Sequence, residues 1–324
     1  MRQAFRHFRP TLLMLIAAAG CSHQARPRVP ASGYVTGAGG IKIFYEVAGS
    51  GDDTVVVVHG GPGAGINDSR PDLEPLAKNR VVIFYDQRGG GRSELPDTML
   101  LGPVHYVGDL EAVREYFGLE QMSLVAQSFG AIVVAEYLRA HPDRVARMVF
   151  LAPTGPNREE AARFYTRAPE TSDTAAVRRQ FGLMRTLMEG RATDPVAACR
   201  EFEALDVRLG LMYAGRKGTT CDMPVPALRY HYQYTARLAP EVFGEWDFTQ
   251  SFREVTAPLL VIHGERDKHG LAMNRSWARA IPNGRLLVIP DAVRAAYAAR
   301  PDAVFPAIDE FLNGRWPSGA LPPE

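Results

Sequence analysis

Short apolar runs alternate with amphipathic stretches along the chain and predict alternating strands and helices. The runs are rich in Val, Ile and Leu, which is typical of strands in a parallel sheet buried on both faces. Predicted strands cover residues 41–47, 54–58, 81–85, 122–126, 147–151, 259–262 and 285–289. Predicted helices cover residues 106–117, 131–139, 275–280 and 303–312. This order predicts an α/β fold, a doubly wound and mostly parallel sheet with right-handed crossovers.

Residues 153–252 interrupt this alternation, because they carry helical patterns over 174–188 and 195–211 and no strong strand pattern. Since they stand between two core strands, we expect an inserted helical lid over the strand ends. The core is then formed by residues 41–152 and 253–314. The flanking residues 21–40 are rich in Pro and Gly, and we expect a flexible tether there. In the tail, residues 315–324, we expect disorder from 317 onwards.

The first twenty residues have the pattern of a secretory signal peptide. Arg2, Arg6 and Arg9 precede an apolar stretch over 11–20 that is too short to span a bilayer, and small residues end it. Cys21 follows directly, which resembles the lipidation site of bacterial lipoproteins. We therefore expect an exported protein of the bacterial periplasm or cell envelope, anchored to the membrane through Cys21. The alternative is an ordinary signal peptide cleaved near Ala19, with Cys21 incidental.

Two further cysteines, Cys199 and Cys221, lie within the predicted lid. Disulfides persist in the oxidising compartments that exported proteins reach. The surrounding sequence is rich in Gly, Pro and Thr and has little apolar periodicity, which favours a bridge between the two. The alternative is a pair of buried free thiols.

Composition excludes several classes of protein. The 324 residues are 46% hydrophobic and 23% charged, which is ordinary for a globular chain and excludes collagen and whole-chain disorder. The 37 basic and 36 acidic residues give a net charge of +1, so no basic excess indicates a nucleic-acid partner. No metal-ligand spacing and no dinucleotide-binding glycine pattern occurs, so we expect no metal and no cofactor. The sequence leaves the oligomeric state open.

The chemistry-bearing residues follow the predicted strands, where ligands bind in such sheets. Ser128, in Ala-Gln-Ser-Phe-Gly, joins a strand directly to a helix, a turn that exposes the serine as a nucleophile. His-Gly-Gly-Pro-Gly at 59–63 follows an earlier strand, and its glycines allow main-chain N–H groups to face an oxyanion. The expected donors are the N–H groups of Gly61 and Phe129. Asp267 follows a later strand and could orient a base.

A further motif, Asp-Gln-Arg-Gly-Gly-Gly-Arg-Ser at 86–93, follows the strand at 81–85. We interpret it as scaffold, with Asp86 and Arg88 forming a local ion pair that braces the neighbouring loop. We likewise expect His59 to brace its loop instead of acting as a base.

Four motifs follow one another along the chain: His-Gly-Gly-Pro-Gly at 59–63, Asp-Gln-Arg-Gly-Gly-Gly-Arg-Ser at 86–93, Ala-Gln-Ser-Phe-Gly at 126–130 and His-Gly-Glu-Arg-Asp at 263–267. In this order they resemble the α/β-hydrolase superfamily and most closely its proline-iminopeptidase-like branch of serine peptidases. The resemblance implies that Ser128 is the nucleophile, Asp267 the acid of the catalytic triad, and Gly61 and Phe129 the oxyanion donors. Lids of this family often hold an acidic group for the amino terminus of the substrate. The candidates for that role are Glu201, Glu203 and Asp206.

The resemblance also implies a catalytic histidine after the last strand, and that position falls on Arg294. Guanidinium has no acceptor and stays protonated, so Arg294 cannot take the serine proton. No histidine follows His269, which is the first candidate for a substitute base. Loss of the base costs about 10⁶ in turnover in a model serine hydrolase, which leaves activity in doubt.

Two functional hypotheses follow. The first is a serine hydrolase that removes amino-terminal residues from short peptides or cleaves small esters and amides. The second is a catalytically impaired relative that binds a peptide or a small ligand under the lid. An epoxide hydrolase or dehalogenase would need aspartate at the position of Ser128 and is disfavoured.

Overall fold

The computed structural model describes residues 30–165 and 171–323, apart from the side chains of Phe164, Tyr165, Ala239 and His269. The proposed signal peptide and Cys21 lie outside the described residues. None of the described helices is both long enough and apolar enough to cross a membrane.

One eight-stranded sheet organises the molecule, in the spatial order β1-β2-β4-β3-β5-β6-β7-β8. Strand β2 runs antiparallel to β1 and β4, and the other neighbouring pairs are parallel. The predicted fold class, an α/β fold with a mostly parallel sheet, is confirmed. The strands are β1 (Ser32–Thr36), β2 (Lys42–Ala48), β3 (Thr54–Val58), β4 (Val81–Tyr85), β5 (Met122–Gln127), β6 (Val145–Leu151), β7 (Leu259–Gly264) and β8 (Gly284–Ile289).

Helices follow most of the strands. Those of the core are α1 (Arg70–Leu73), α2 (Pro103–Tyr116), α3 (Gly130–Ala140), α9 (Lys268–Ala280), α10 (Ala296–Ala299) and α11 (Pro301–Leu312). Those between β6 and β7 are α4 (Arg158–Tyr165), α5 (Thr174–Met188), α6 (Pro195–Arg208), α7 (Val225–Tyr230) and α8 (Ala236–Val242), with a π-helical turn (His231–Thr235) joining the last two. Short 3₁₀ turns span Ala38–Gly40, Ile66–Asp68, Glu74–Lys78, Thr98–Leu100 and Pro142–Arg144.

The sheet is buried on both faces because alternate strand residues point to opposite sides. In β3, Val56 and Val58 join the apolar cluster that includes α2, α3 and α9, whereas Val55 and Val57 join the cluster under α11. Each fully buried Val or Leu stabilises the fold by about 1.5–3 kcal/mol. Continuous apolar runs in the sequence are therefore required by the position of these strands between two helical layers.

The helices between β6 and β7 have small apolar clusters of their own. One of them surrounds the disulfide between Cys199 and Cys221, which joins α6 to the segment before α7. The bridge closes a loop of 22 residues, and the entropic model assigns about 3 kcal/mol to a closure of this size.

Two expectations about the flanks are wrong. Within the expected tether, Ser32–Thr36 forms the edge strand β1, because Val35 is buried and the backbone pairs with β2 from Ser32 to Thr36. In the expected disordered tail, Ala320 is buried and Leu321 exchanges two backbone hydrogen bonds with Leu286 of β8 (2.9 and 3.0 Å). Backbone pairing, for which the Pro- and Gly-rich composition gives no signal, orders Ser32–Thr36 and the chain around Leu321.

Candidate active site

Ser128 occupies a strained turn between β5 and α3. Its φ is +50°, a left-handed value that non-glycine residues rarely adopt and that is characteristic of functional sites. Main-chain bonds hold the turn: the Ser128 N–H donates to Leu151 O (3.1 Å), and the Ser128 carbonyl accepts from the N–H groups of Ala131 (3.1 Å) and Thr154 (3.0 Å). The side chain remains half-buried. The turn thus presents the hydroxyl at the carboxyl edge of the sheet.

The β3 loop, residues 59–65, packs directly against this serine. A Cβ on Gly60 would lie 2.9 Å from Ser128 Cβ and 3.6 Å from its Oγ, so only glycine allows this approach. Gly61 is exposed and has a φ of +122°. Among the described residues, neither the Gly61 N–H nor the Phe129 N–H donates to a backbone carbonyl. Two main-chain donors beside the serine hydroxyl fit the geometry of an oxyanion hole.

An aromatic group covers the residue after the serine. The ring of Phe129 meets Phe243 edge to face (5.2 Å between centroids) and lies 6.3 Å from Trp246. Phe243 in turn packs on Tyr106 at 5.4 Å. Phe243 and Trp246 follow α8 and belong to the segment between β6 and β7, residues 153–252, which we call the insert. The insert therefore supplies an apolar cover beside Ser128.

The loop after β4 differs from the prediction. Arg88 does not pair with Asp86. It forms a buried two-point ion pair with Asp109 of α2, at 2.7 Å from Nε to Oδ2 and 2.6 Å from Nη2 to Oδ1. Asp86 accepts from the N–H groups of Ile66 (2.5 Å) and Arg92 (2.8 Å). The expected local pair is wrong because the chain turns Arg88 inward against α2, whereas the Asp86 carboxylate joins the β4 loop to Ile66, the residue that follows the β3 loop.

His59 braces its loop through both ring nitrogens. Nε2 accepts from the Gln87 N–H (2.9 Å), so Nδ1 carries the proton and donates to Gly60 O (2.7 Å). Complete burial lowers the pKa of His59, although the Asp86 carboxylate opposes this shift. The ring is therefore neutral and occupied, as expected for a structural histidine.

Asp267 lies at the start of α9, after β7. Its Oδ1 accepts from the Gly270 N–H (3.0 Å), which caps the helix. Its Oδ2 is buried and has no hydrogen-bond partner among the described residues. His263 Nε2 lies 3.5 Å from that oxygen and donates to Asp267 O at 2.9 Å. A carboxylate oxygen is thus available where a triad acid would meet its histidine.

Arg294 stands half-buried on the loop after β8, near this acid. Burial lowers the pKa of His263, and the charge of Arg294 lowers it further. A bidentate pair between Arg294 and Asp267 is not formed, because Asp267 Oδ2 lacks a hydrogen bond within the described chain. The backbone of His269 lies in the first turn of α9, but its side chain is outside the described residues. Its role as a substitute base stays a prediction.

His231 of the insert is no substitute base. Its Nδ1 donates to Pro62 O in the β3 loop at 3.1 Å, and Thr235 Oγ1 lies 3.3 Å from the same nitrogen. Burial lowers its pKa to about 4. The ring is therefore neutral at physiological pH and serves as a contact between the insert and the β3 loop.

The three candidate amine-binding acids already have partners. Glu201 is exposed and bonds Arg179 through both oxygens at 2.6 Å. Glu203 accepts from the Thr219 hydroxyl (2.7 Å) and the Thr220 N–H (3.0 Å), and Asp206 accepts from Gln180. Burial raises the pKa of Glu203 and raises that of Asp206 to about 6. The structure therefore does not gather them into an open carboxylate group.

One group among the described residues, Cys199, Glu203 and Cys221, brings possible metal-ligating atoms within 4.8 Å of one another. Metals bind the cysteine thiolate, and both cysteines are joined in the disulfide. We assign no metal site there.

Sequence reasoning missed several polar contacts around the site. Gln127, next to Ser128, donates to the buried Tyr297 hydroxyl (2.7 Å), and burial raises the pKa of Tyr297 to about 12. Arg216 of the insert contacts Asp68, which lies 148 positions away. Sequence spacing carries no signal for pairs at this separation. Asp109 could have been found, because it is an acid on the inner face of an amphipathic helix.

The sequence pattern of the α/β hydrolase fold matches residues 53–299. A proline iminopeptidase of Heyndrickxia coagulans is 25% identical over 294 residues, covering 87% of this chain and 98% of that protein. A non-heme chloroperoxidase of Streptomyces lividans is 30% identical over 295 residues, covering 87% of this chain and 96% of that protein. The esterase RhEst1 from Rhodococcus sp. ECU1013 superposes with a TM-score of 0.65 at 20% identity, covering 88% of this chain and 99% of that one, which supports the fold alone.

The chain therefore belongs to the α/β hydrolase fold family. Within that family it resembles the proline-iminopeptidase-like branch, as its four motifs predicted.

Proposed function

We propose that the protein is a serine hydrolase of small esters or amides, with Ser128 as the nucleophile. The observation that carries the proposal is the strained, half-buried Ser128 pressed against the β3 loop. Attack by its Oγ on a carbonyl carbon would place negative charge on the carbonyl oxygen. The N–H groups of Gly61 and Phe129 would stabilise that charge. The bond from the carbonyl carbon to the alcohol or amine would then break, and the leaving group would take up the serine proton, with His269 as the candidate carrier. Water would hydrolyse the acyl-serine to the acid and regenerate the Ser128 hydroxyl.

The substrate class follows from the insert. An aminopeptidase needs an acidic group for the positive amino terminus, and the three candidate acids already accept hydrogen bonds from neighbouring groups. The cover beside Ser128 is aromatic instead, with Phe129, Phe243 and Trp246. Aromatic walls favour an uncharged, apolar group. We therefore place uncharged esters and amides before peptides with a free amino terminus.

A fluorophosphonate probe tests the nucleophile, since it bonds covalently to an activated serine. We expect a mass increase on the peptide that contains Ser128 in the wild type, and none in Ser128→Ala. Ser276→Ala is the matched control, because the half-buried Ser276 hydroxyl donates to Ala272 O within α9 and its loss should leave labelling unchanged. A wild-type protein labelled at another serine would overturn the assignment.

The second candidate is a catalytically impaired hydrolase that binds a small ligand or peptide. Arg294 at the position of the base favours it, together with Asp267 Oδ2, which has no hydrogen-bond partner in the described part of the chain. Labelling of Arg294→His at Ser128, with none in the wild type, would select this candidate. Absence of labelling in both proteins would exclude Ser128 as a nucleophile. A panel of p-nitrophenyl esters and amino-terminal proline amides then separates the substrate classes.

We further propose export and membrane anchoring through Cys21, on the pattern of the first 21 residues. Metabolic labelling with a palmitate analogue should mark the wild type and not Cys21→Ala. A mature chain that begins near Ala19 and carries no lipid would contradict the anchor.

A further inference from the structure

A short segment of the insert, residues 216–220, docks on the chain that directly follows the β3 loop. We call it the docking segment. The Arg216 side chain is 8% exposed, and its guanidinium lies 2.5 Å from Asp68 Oδ1 and 3.6 Å from Asp72 Oδ2. Both carboxylates are buried as well. Buried charges need a partner, so Arg216 links the insert to this part of the core.

Main-chain bonds extend the same contact. The Asp72 carboxylate accepts from the N–H groups of Lys217 and Gly218, each at 3.0 Å. The Thr219 N–H donates to Asn67 O at 3.0 Å, and the Thr220 hydroxyl donates to Asp68 Oδ1 at 3.1 Å. A side chain at Gly218 would overlap Asp68 O. The docking segment is therefore fitted residue by residue to positions 67–72.

The insert makes a second contact, in which its π-helical turn packs against the β3 loop. His231 donates to Pro62 O, and a Cβ on Gly63 would lie 2.7 Å from Thr235 Oγ1. The disulfide links these two contacts, the docking segment and the π-helical turn. Cys221 directly follows the docking segment, and Tyr232 of the π-helical turn donates to Cys199 Sγ at 3.4 Å. The Gly61 N–H thus lies in a loop held on both sides by one disulfide-linked unit.

The charges of Arg216 and Asp68 keep the contact between the docking segment and the core closed at neutral pH. Burial opposes ionisation of Asp68, but the Arg216 guanidinium outweighs it, so the pKa of Asp68 is lowered. The group stays ionised and paired at neutral pH. Glu203 also lies near Arg216, but its carboxylate bonds Thr219 and Thr220.

We propose that Arg216 is a positioning residue for the oxyanion hole, which it fixes by clamping the docking segment to the chain after the β3 loop. It touches neither substrate nor Ser128 and acts through Asp68 and Asp72. The proposal deepens the proposed function and rests on it for its catalytic consequence. Its structural consequence, order in the β3 loop, is independent of any activity.

Hydrogen exchange measured by mass spectrometry tests that order directly. In Arg216→Met we expect the peptide covering residues 59–68 to exchange at least about tenfold faster than in the wild type. Arg216→Lys keeps the charge but lacks the planar guanidinium, so its exchange rate should lie between those of the wild type and Arg216→Met. The matched control is Arg179→Met, an insert arginine whose carboxylate pair with Glu201 is exposed. Unchanged exchange over 59–68 in folded Arg216→Met would overturn the proposal, whatever the activity.

The rate of fluorophosphonate labelling at Ser128 supplies the catalytic readout, measured in the Arg294→His background if the wild type is silent. Misplacement of catalytic groups by about 1 Å can cost about 10²-fold. We expect a fall of that order in the labelling rate and in kcat for Arg216→Met, with KM changed less than about twofold and Arg179→Met unaffected. An equal loss in Arg179→Met would refute a specific role. If Arg216→Met does not fold, Arg216→Lys and dithiothreitol-reduced wild type take its place, and unchanged exchange over 59–68 in both would refute the clamp.

Discussion

The two sides of the candidate site are built differently. The nucleophile side comprises residues 59–65, 86–93 and 126–130, and the acid side comprises residues 263–268 and 290–297. On the nucleophile side, residues 86–91 are all buried, although Gly61 and Arg92 are exposed, and main-chain bonds and buried carboxylates hold the loops. On the acid side, Glu265, Arg266, Lys268 and Asp291 are exposed.

This difference separates two kinds of requirement. A nucleophile turn and an oxyanion hole are backbone structures, so many residues around them share in keeping their geometry. A general base is one side chain, and its loss leaves the backbone unchanged. An arginine at position 294 can therefore affect turnover strongly while the fold and Ser128 stay in place.

The largest effect is expected from a substitution that places a histidine at the position expected for the base. In Arg294→His, the new imidazole would meet Asp267 Oδ2, for which the described residues supply no hydrogen bond, and we expect kcat for a p-nitrophenyl ester to rise by about 10²–10⁴. Arg294→Gln is the control, because it removes the charge without adding a base. Adding Asp267→Asn to Arg294→His should remove most of the gain. An equal rise in Arg294→Gln would show that charge, not proton transfer, limits the wild type.

Ion pairs on the two sides should differ in their contribution to stability. Arg88→Met leaves Asp109 buried without its partner, so the free energy of unfolding should fall by about 3–5 kcal/mol. Arg266→Met breaks a pair with Asp291 whose side chains are 64% and 75% exposed, and should cost less than about 1 kcal/mol. Urea unfolding measures both. Similar losses of unfolding free energy in the two variants would contradict the difference between the buried nucleophile side and the exposed acid side.

Glycine substitutions compare the packing of the two sides. In Gly130→Ala the new methyl group would overlap Val58 O, a backbone atom that cannot yield, and we expect a loss of as much as about 3 kcal/mol. In Gly270→Ala the nearest atoms belong to the side chains of Asp267 and His263 (both 2.6 Å) and not to the backbone, so less strain is expected there. The expected cost there is below about 1 kcal/mol. Thermal unfolding checks this, and a larger loss in Gly270→Ala would reverse the comparison.

The smallest effect concerns pH and the contact of the insert with the nucleophile side. His231 has a pKa of about 4 when folded and about 6.5 when unfolded. Above pH 6.5 both states are neutral and the group has no effect on the pH dependence. Below it the unfolded state binds the proton first, so stability falls as pH drops towards 4. The unfolded state is half protonated at pH 6.5, so the full slope of about 1.36 kcal/mol per unit develops only below that pH. Between pH 6.5 and 5 the loss is about 1.5 kcal/mol.

His231→Asn keeps a donor for Pro62 O and removes this titration. Its stability, measured by urea unfolding, should therefore fall less than that of the wild type between pH 7 and 5. A pH dependence equal to that of the wild type would exclude His231 as the source.

The core strands were predictable because each is buried on both faces. The predicted strands at 54–58 and 81–85 coincide with β3 and β4, and the predicted start and end of the other five lie within two residues of the observed ones. The tight turns at Ser128 and at 59–63 were likewise predictable, since such backbone conformations require small residues at fixed short spacing. Local patterns suffice where local backbone geometry sets the requirement.

Long-range polar pairing was not predictable. Arg88 pairs with Asp109 and not with Asp86, because the direction of a side chain on a turn depends on the helix that packs over it. Arg216 meets Asp68 across 148 positions, and no periodicity reports such a contact. The edge strand β1 was missed because its pairing needs backbone groups more than apolar side chains.

The pairing of Leu321 with Leu286 has a practical consequence for handling the protein. Strand β8 is the last in the sheet, and the two hydrogen bonds from the tail occupy part of its outer edge. An uncovered edge strand is a template for intermolecular pairing. A purification tag that displaces Leu321, or a truncation before Ala320, would therefore promote self-association, and fusions belong elsewhere on the chain.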